Sequence, residues 1–359
     1  MRYRTPRLEI YPARISHNAK AVINLCSSKG IDVAAVTKVA CAHPAVARAM
    51  AEAGAAMLAD SRLDNLRYLG DQGHTLPRML LRLPSPSEAC LVVRDAEISL
   101  NSSLKTLSAL SDAALSRSIK HQVLIMVDLG DLREGVWPDE ALAFCKKAAE
   151  FKGIEIIGMG SNLACYGGVI PSESNMKTLT ELRELCRKET GLALGLLSGG
   201  NSANLPLLTA GDMPKEINHL RIGEAIVLGR NVLDRSPWPG TKQNTFRAVA
   251  EVIEVAKKPS VPIGDRGQDA FGGSSEFTDR GNRTRAICAL GRQDAVVDGL
   301  YPEDPGIIVL GGSSDHLLLD IEDAAMDIKV GDEIGFFPGY GALLALSTSP
   351  YVAKLVIEE

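Results

Sequence analysis

The chain of 359 residues contains no run of ~18 uninterrupted apolar residues, so nothing in it reads as a membrane-crossing helix. Residues 1–30 hold no apolar stretch of the length a secretion signal needs, and the expectation is a cytoplasmic protein. Basic charge is not in excess. With 39 Lys and Arg against 44 Asp and Glu, the net charge of −5 argues against a nucleic-acid surface and for small-molecule partners. The seven cysteines are scattered, odd in number and never in a C-x-x-C pair, so free thiols are expected. No two of the six histidines stand at i, i+4 beside a carboxylate, and no metal site is expected.

What is present is a soluble globular composition, 45% hydrophobic and 23% charged, in a chain long enough for two domains. Short apolar runs recur every few tens of residues: Ile31–Val36, Ala55–Ala59, Arg78–Leu83, Ala96–Leu100, Gln122–Val127, Glu155–Met159, Leu192–Leu197 and Ile217–Leu220. Helical patterns lie between them, with start signals at Ser16, His43-Pro44, Asp60-Ser61 and Pro138-Asp139-Glu140. Eight strands with apolar residues on both faces, separated by helices, close into a (β/α)8 TIM barrel. An open doubly wound sheet is the alternative, but it would carry G-x-G-x-x-G after the first strand, where this chain has Thr37-Lys38-Val39-Ala40.

The division expected is a barrel over 1–235 and a C-terminal all-β domain over 236–359. Residues Asn231–Asn244, rich in proline and glycine, read as a connector without period. From Phe246 the pattern alternates, through Ala248, Ala250 and Val252, then Ala286–Leu290, Ile307–Leu310, Leu317–Leu319, Glu333–Phe337 and Val352–Ile357. Between the first two strands lies Gly264–Arg283, too long for a plain hairpin turn and therefore functional or mobile.

Barrels carry their chemistry at the C-terminal ends of the strands. Here those ends offer Lys38, Asp60, Arg82, Asn101, Asp128 with Arg133, Asn162 to Tyr166, Ser198-Gly199-Gly200-Asn201-Ser202, and Arg221-Ile222-Gly223-Glu224. Lys38 closes a strand, where burial of its amine would yield a nucleophile able to form a Schiff base. The last two loops have the glycine content of a phosphate cradle after strands seven and eight of a barrel. A lysine opposite such loops suits a phosphate-bearing aldehyde, of which pyridoxal 5′-phosphate is the usual example.

These segments carry a resemblance. Val36-Thr37-Lys38-Val39, Val127 to Trp137, Cys165-Tyr166-Gly167-Gly168, Ser198-Gly199-Gly200-Asn201 and Leu220 to Ala225 are similar to the alanine-racemase-like, fold type III pyridoxal-phosphate enzymes, and within them to the ornithine racemases. The resemblance spans nearly the whole chain. It implies a racemase of an amino acid, ornithine or another basic one such as lysine, with Lys38 as Schiff-base residue and Arg221 facing the pyridine nitrogen. It also implies a phosphate cradle of Ser198, Gly199, Asn201, Ser202, Ile222 and Gly223, Arg133 near the phenolic oxygen, Asn162 over the ring, and Tyr351 as a further phosphate ligand. A guanidinium beside the ring nitrogen disfavours its protonation, which suits racemisation over transamination and argues against the related decarboxylases.

Racemisation needs a base on each face of the reacting carbon. Lys38 is one. In the alanine racemases the other is a tyrosine from the partner subunit, but the matching stretch Pro259–Asp265 holds no tyrosine. Cys165 and Tyr166 are the candidates, with Asp265 or Asp269 as further options; alternatively Asp265, Asp269, Asp294 and Glu224 recognise the distal ammonium of a diamino acid. A homodimer with shared active sites follows if the β-domain reaches a neighbouring barrel. The alternatives are an alanine racemase, a fold type III lyase or decarboxylase, and a non-catalytic coenzyme carrier, the last disfavoured by residues 245–359.

Overall fold

The computed structural model describes residues 4–269, 271–273 and 276–359, so part of the Gly264–Arg283 loop lies outside the described residues. The chain forms two compact units, residues 12–243 and residues 1–11 with 244–359.

The larger unit is a closed parallel barrel. Its strands are β2 (Asp32–Val36), β3 (Met57–Asp60), β4 (Arg78–Leu80), β5 (Ile98–Asn101), β6 (His121–Met126), β7 (Ile154–Gly160), β8 (Leu196–Ser198) and β9 (His219–Ile222), after β1 (Arg7–Ile10). Each pairs with its sequence neighbour, and β9 closes on β2 with Ala34 opposite Arg221. The eight apolar runs of the sequence are these eight strands. Small and medium side chains fill the interior: Ala34, Val36, Met57, Ala59, Met79, Ile98, Leu100, Leu124 and Met126. A barrel filled this way is a packed core, so ligands are left to the loops at its rim.

The sequence boundaries shift in three places. The first helix runs Pro12–Ser27 and begins at a proline, not after Ser16 as expected, because proline's fixed φ suits the first helical turn. Residues through Gln243 stay with the barrel. Asn18 holds Lys242 by two bonds of 2.7 Å, one in each direction, and this anchors the connector that the sequence assigns to the second domain. Residues 1–11, expected in the barrel, join the other unit.

That second unit is a sheet of β10 (Phe246–Pro259), β11 (Asn282–Cys288), β12 (Leu300–Pro302), β13 (Ile308–Gly312), β14 (Leu317–Asp320), β15 (Glu333–Pro338) and β16 (Ala353–Val356), completed by β1. The long β10 pairs with β1 and β15 through its first half and with β11 through its second, across an irregularity at Val252/Glu254. β1 also pairs in parallel with β16. The unit is mostly β, as expected, and carries in addition, among the described residues, the α-helix Tyr340–Thr348, whose Ala342, Leu343 and Leu346 are buried, and the 3₁₀ turn Val297–Gly299.

Candidate active site

Lys38 owes its place to the residue before it. The Thr37 hydroxyl donates to Asp60 Oδ2 at 2.8 Å, and its N–H donates to the Ala59 carbonyl at 2.9 Å. Asp60 is buried and accepts further from Asn65 and the Arg62 N–H, each at 3.0 Å; burial holds its carboxyl above the ordinary range against these bonds. With Thr37 fixed, Lys38 opens the 3₁₀ turn Lys38–Ala40 at the rim, half-buried where the sequence suggested full burial. Cys41 and Ala42 follow at φ 48° and 53°. Of seven non-glycine residues with positive φ among the described residues, four (Cys41, Ala42, Leu132, Ala164) lie in the loops after β2, β6 and β7, so strain gathers on the rim that holds the candidates.

Across the closure from β2, Arg221 points inward as its register partner Ala34 does. It is buried, and its bonds run to the Ser198 hydroxyl, to the Ser161 carbonyl at 2.8 Å and to Asn162 Oδ1 at 3.4 Å. Every acceptor is neutral. Among the described residues no carboxylate pairs with it; burial lowers its pKa to about 10, which leaves it charged at neutral pH. Glu134 stabilises the charge only through space, and a buried cation with no carboxylate bonded to it is costly in a folded chain, so the arrangement suits a site reserved for a ligand group.

The loops after β6, β7 and β8 interlock beside it. Asn162 Nδ2 donates to the Cys165 sulfur at 2.9 Å, and Asn201 Nδ2 donates to Asn162 Oδ1 at 3.2 Å, to the Leu163 carbonyl at 2.8 Å and to Cys165 at 3.4 Å. Cys165 is exposed; Tyr166 is 77% exposed and, among the described residues, held through its N–H alone. Asp131, to which the sequence reading gave no role, sets this loop. Its carboxylate accepts from the N–H groups of Cys165 (3.2 Å), Tyr166 (2.9 Å) and Val169 (3.1 Å), and its carbonyl accepts from Gly167 (3.0 Å). Burial opposes the charge, but these bonds prevail and hold its carboxyl below the usual range. Arg133 is ion-paired with Glu134; burial alone would lower its pKa, and the pair raises it instead.

In the last two loops Ser202 is buried and its hydroxyl accepts from the Ala225 N–H at 3.3 Å, joining one loop to the other. Asn201 Oδ1 accepts from the Ala203 N–H at 2.8 Å. Among the described residues no acceptor takes the N–H of Ser202 or of Gly223. A Cβ at Gly223 would lie 3.1 Å from Val36 Cβ, so glycine keeps this approach open. Ile222 is buried opposite Ala35. Two expected cradle members differ. The Gly199 N–H is spent on the His219 carbonyl at 3.0 Å, and the Ser198 hydroxyl faces inward to Arg221, because both still belong to the strand pairing of β8 with β9.

The acidic candidates are not brought together. Glu224 is in the barrel unit, mostly buried and ion-paired with Arg235; burial raises its carboxyl above the ordinary range despite Arg235, Arg230 and Lys38. Asp294 is buried in the second unit and accepts from the Ser349 hydroxyl at 2.6 Å. Asp269 closes its own turn on the N–H groups of Phe271 (2.9 Å) and Gly273 (2.8 Å), which lower its pKa. Asp265 is exposed and takes no bond among the described residues. Tyr351 is exposed, with its N–H on the Ser349 hydroxyl at 3.1 Å.

An aldehyde-bearing, phosphorylated pyridine fits these groups. Lys38 offers the amine, Arg221 a guanidinium with only neutral bonded partners, and Ser202 and Gly223 N–H groups uncommitted among the described residues, beside an open glycine. Besides Asp131, the sequence reading missed His219, which lies beside Ser198 at the base of the Arg221 cluster; its signal was an inward-facing histidine two residues before Arg221.

Residues 10–231 match the alanine racemase N-terminal domain family, and the chain belongs to it. It is an amino acid racemase, an isomerase. Over 352 residues it is 43% identical to a lysine racemase of Thermotoga maritima, with 98% of each chain covered. An ornithine racemase of Acetoanaerobium sticklandii is 41% identical over 350 residues, 97% of this chain and 99% of that one. In fold it is similar to the alanine racemase of Bartonella henselae solved with covalently bound pyridoxal phosphate, with a TM-score of 0.75, 18% identity, and coverage of 99% of this chain and 100% of that one. Among the described residues no helix is long and apolar enough to cross a membrane.

Proposed function

We propose that this racemase uses pyridoxal 5′-phosphate and interconverts the L and D forms of a basic diamino acid, ornithine or lysine. Arg221 carries the reading: a buried guanidinium with only neutral partners, on the rim that also presents Lys38. The bound coenzyme would supply an electron-accepting ring that makes the substrate Cα–H acidic. Lys38 is the residue that would hold its aldehyde and move a proton at Cα on one face. The N–H groups of Ser202 and Gly223, with Asn201, Ile222 and Tyr351, would take the phosphate. Arg133 would face the phenolic oxygen and Asn162 the ring. An always-charged Arg221 disfavours a proton on the ring nitrogen, so the proton returns to Cα.

On the second face we assign the proton to Cys165 in preference to Tyr166, since its sulfur is held by the amides of Asn162 and Asn201, the first of which also accepts from Arg221, while among the described residues the Tyr166 ring is held by none. The names of the two relatives above 40% identity support a basic substrate. Of the four acidic candidates, Asp265 suits the distal ammonium, because the other three are already bonded within their own units. A homodimer in which one subunit's second unit completes the partner's barrel accounts for a substrate residue on that unit, and sedimentation across a dilution series measures it.

Chiral chromatography of L-ornithine, L-lysine and L-alanine after incubation with coenzyme tests the whole reading. Ornithine and lysine are expected to racemise, and Lys38→Ala to lower the rate by roughly a thousandfold or more. Unchanged optical purity with wild-type protein, or release of CO2 or an aldehyde, would refute it.

A further inference from the structure

Strands β8 and β9 turn three polar side chains into the barrel: Ser198, His219 and Arg221. The direction of their bonds can be deduced. A guanidinium has no acceptor, so Arg221 Nη1 donates to Ser198 Oγ. That hydroxyl has one proton of its own, and His219 Nδ1 lies 2.8 Å away. Either a neutral His219 accepts that proton at Nδ1, or His219 donates to Oγ from Nδ1, as the cation or as the neutral Nδ1–H tautomer. Donation to Oγ in either form strands the hydroxyl proton, and the cation in addition buries another positive charge beside Arg221. Burial, helped by that guanidinium, pushes His219 down to about 3, which decides for the neutral ring. With Nδ1 taking the hydroxyl proton, the ring's own proton sits on Nε2, which meets no acceptor among the described residues.

We infer that His219, acting through Ser198, is a positioning residue that fixes the Arg221 guanidinium with neutral bonded groups only, so that no salt bridge draws it away from the coenzyme. The inference rests on the coenzyme reading above. Physically, an acceptor on the hydroxyl proton strengthens the same oxygen as acceptor for Arg221, because successive hydrogen bonds polarise one another. Nη1 is held by this relay; Nη2 is held by the Ser161 carbonyl and Asn162 Oδ1. Neither arm brings a carboxylate. A guanidinium anchored at both nitrogens cannot swing away from the ring nitrogen it would face, and nothing in the anchor reduces its charge.

The test uses coenzyme-loaded protein. Nitrogen NMR of ¹⁵N-histidine-labelled protein at neutral pH is expected to show His219 neutral with its proton on Nε2. The second measurement is the partition between racemisation and conversion of the coenzyme to its amine form. In that side reaction the substrate's amino group and Cα proton pass to the coenzyme, and water supplies the oxygen of the departing keto acid. Ser198→Ala and His219→Leu are expected to raise this partition about tenfold, the scale of a lost hydrogen bond to a charged group. His219→Gln keeps an acceptor oxygen and is expected to stay within about threefold of wild type. A general loss of stability would lower the racemisation rate without moving the partition. A cationic His219, a wild-type partition in both disruptive variants, or His219→Gln behaving as His219→Leu would overturn the inference. If wild type racemises normally while the variants keep its partition, the coenzyme reading stands and the relay falls; if wild type does not racemise, both fall.

Discussion

In the C-terminal sheet Arg7 and Arg247 sit among carboxylates, whereas in the barrel Arg221 sits among a hydroxyl, a carbonyl and an amide. Arg7 meets Glu333 through two bonds of 2.9 and 2.8 Å and Glu9 at 2.8 Å; Arg247 meets Glu303 at 2.8 Å and Glu9 at 3.2 Å. The Glu333 bonds raise Arg7, and the carboxylates raise Arg247 against burial, while burial lowers Arg221. The same residue type thus serves two ends. Where a cation holds strands together the chain supplies its counter-charge, and where it is left for a ligand the chain supplies only orientation.

The largest expected effect breaks the barrel side of this contrast. Arg221→Leu should lower racemisation roughly a hundred- to a thousandfold, on the scale of removing one preorganised electrostatic group, and leave the urea midpoint unchanged or higher, since an unpaired buried charge is removed. Chiral chromatography and urea denaturation read the two halves. Arg7→Leu should do the reverse, lowering unfolding free energy by roughly 3 kcal/mol because Glu9 and Glu333 lose a partner, with kcat within about twofold. Acid sharpens the comparison further. Burial works to raise Glu9, but bonds from Arg7, Tyr11 and Arg247 leave its carboxyl lowered in the folded state. Its contribution is therefore fully present above the unfolded value of about 4.3 and lost as pH falls through the lower folded one. Urea midpoints between pH 6 and 3 should fall less in Glu9→Gln than in wild type. Arg221 has the opposite sign: its folded value is depressed, so its charge is a standing cost at neutral pH. The smallest effect concerns the rim. Asp131→Ala should speed amide hydrogen exchange about tenfold at Cys165, Tyr166 and Val169, and leave β6 and β7 unchanged.

How much of this was legible varies by element. All eight barrel strands were, because a strand buried on both faces must be an unbroken apolar run and helices must intervene between parallel neighbours. Lys38 and Arg221 could be placed at strand ends for the same reason. β1 was not legible as part of the C-terminal sheet: its four residues, Arg7–Ile10, pair with residues more than 230 positions away, and no local pattern records that. The helix Tyr340–Thr348 was read as a gap between strands, since its apolar content is not confined to one face. Asp131 was not legible as a site residue, and the spacing of His219 from Arg221 was its one hint, because their roles consist of bonds to other loops and strands.

By itself the sequence determined the order of strands, the rim on which chemistry gathers and the residue types offered there, because hydrophobic period and turn residues act over short spans of chain. Only the tertiary structure decided which of those residues are already spoken for. It tied Glu224 to Arg235, Asp294 to Ser349 and the Gly199 N–H to His219, and left Arg221 with no carboxylate bonded to it among the described residues. The reason is that a polar group's availability depends on every neighbour within about 3 Å, and those neighbours are chosen by the closing of the barrel rather than by adjacency along the chain.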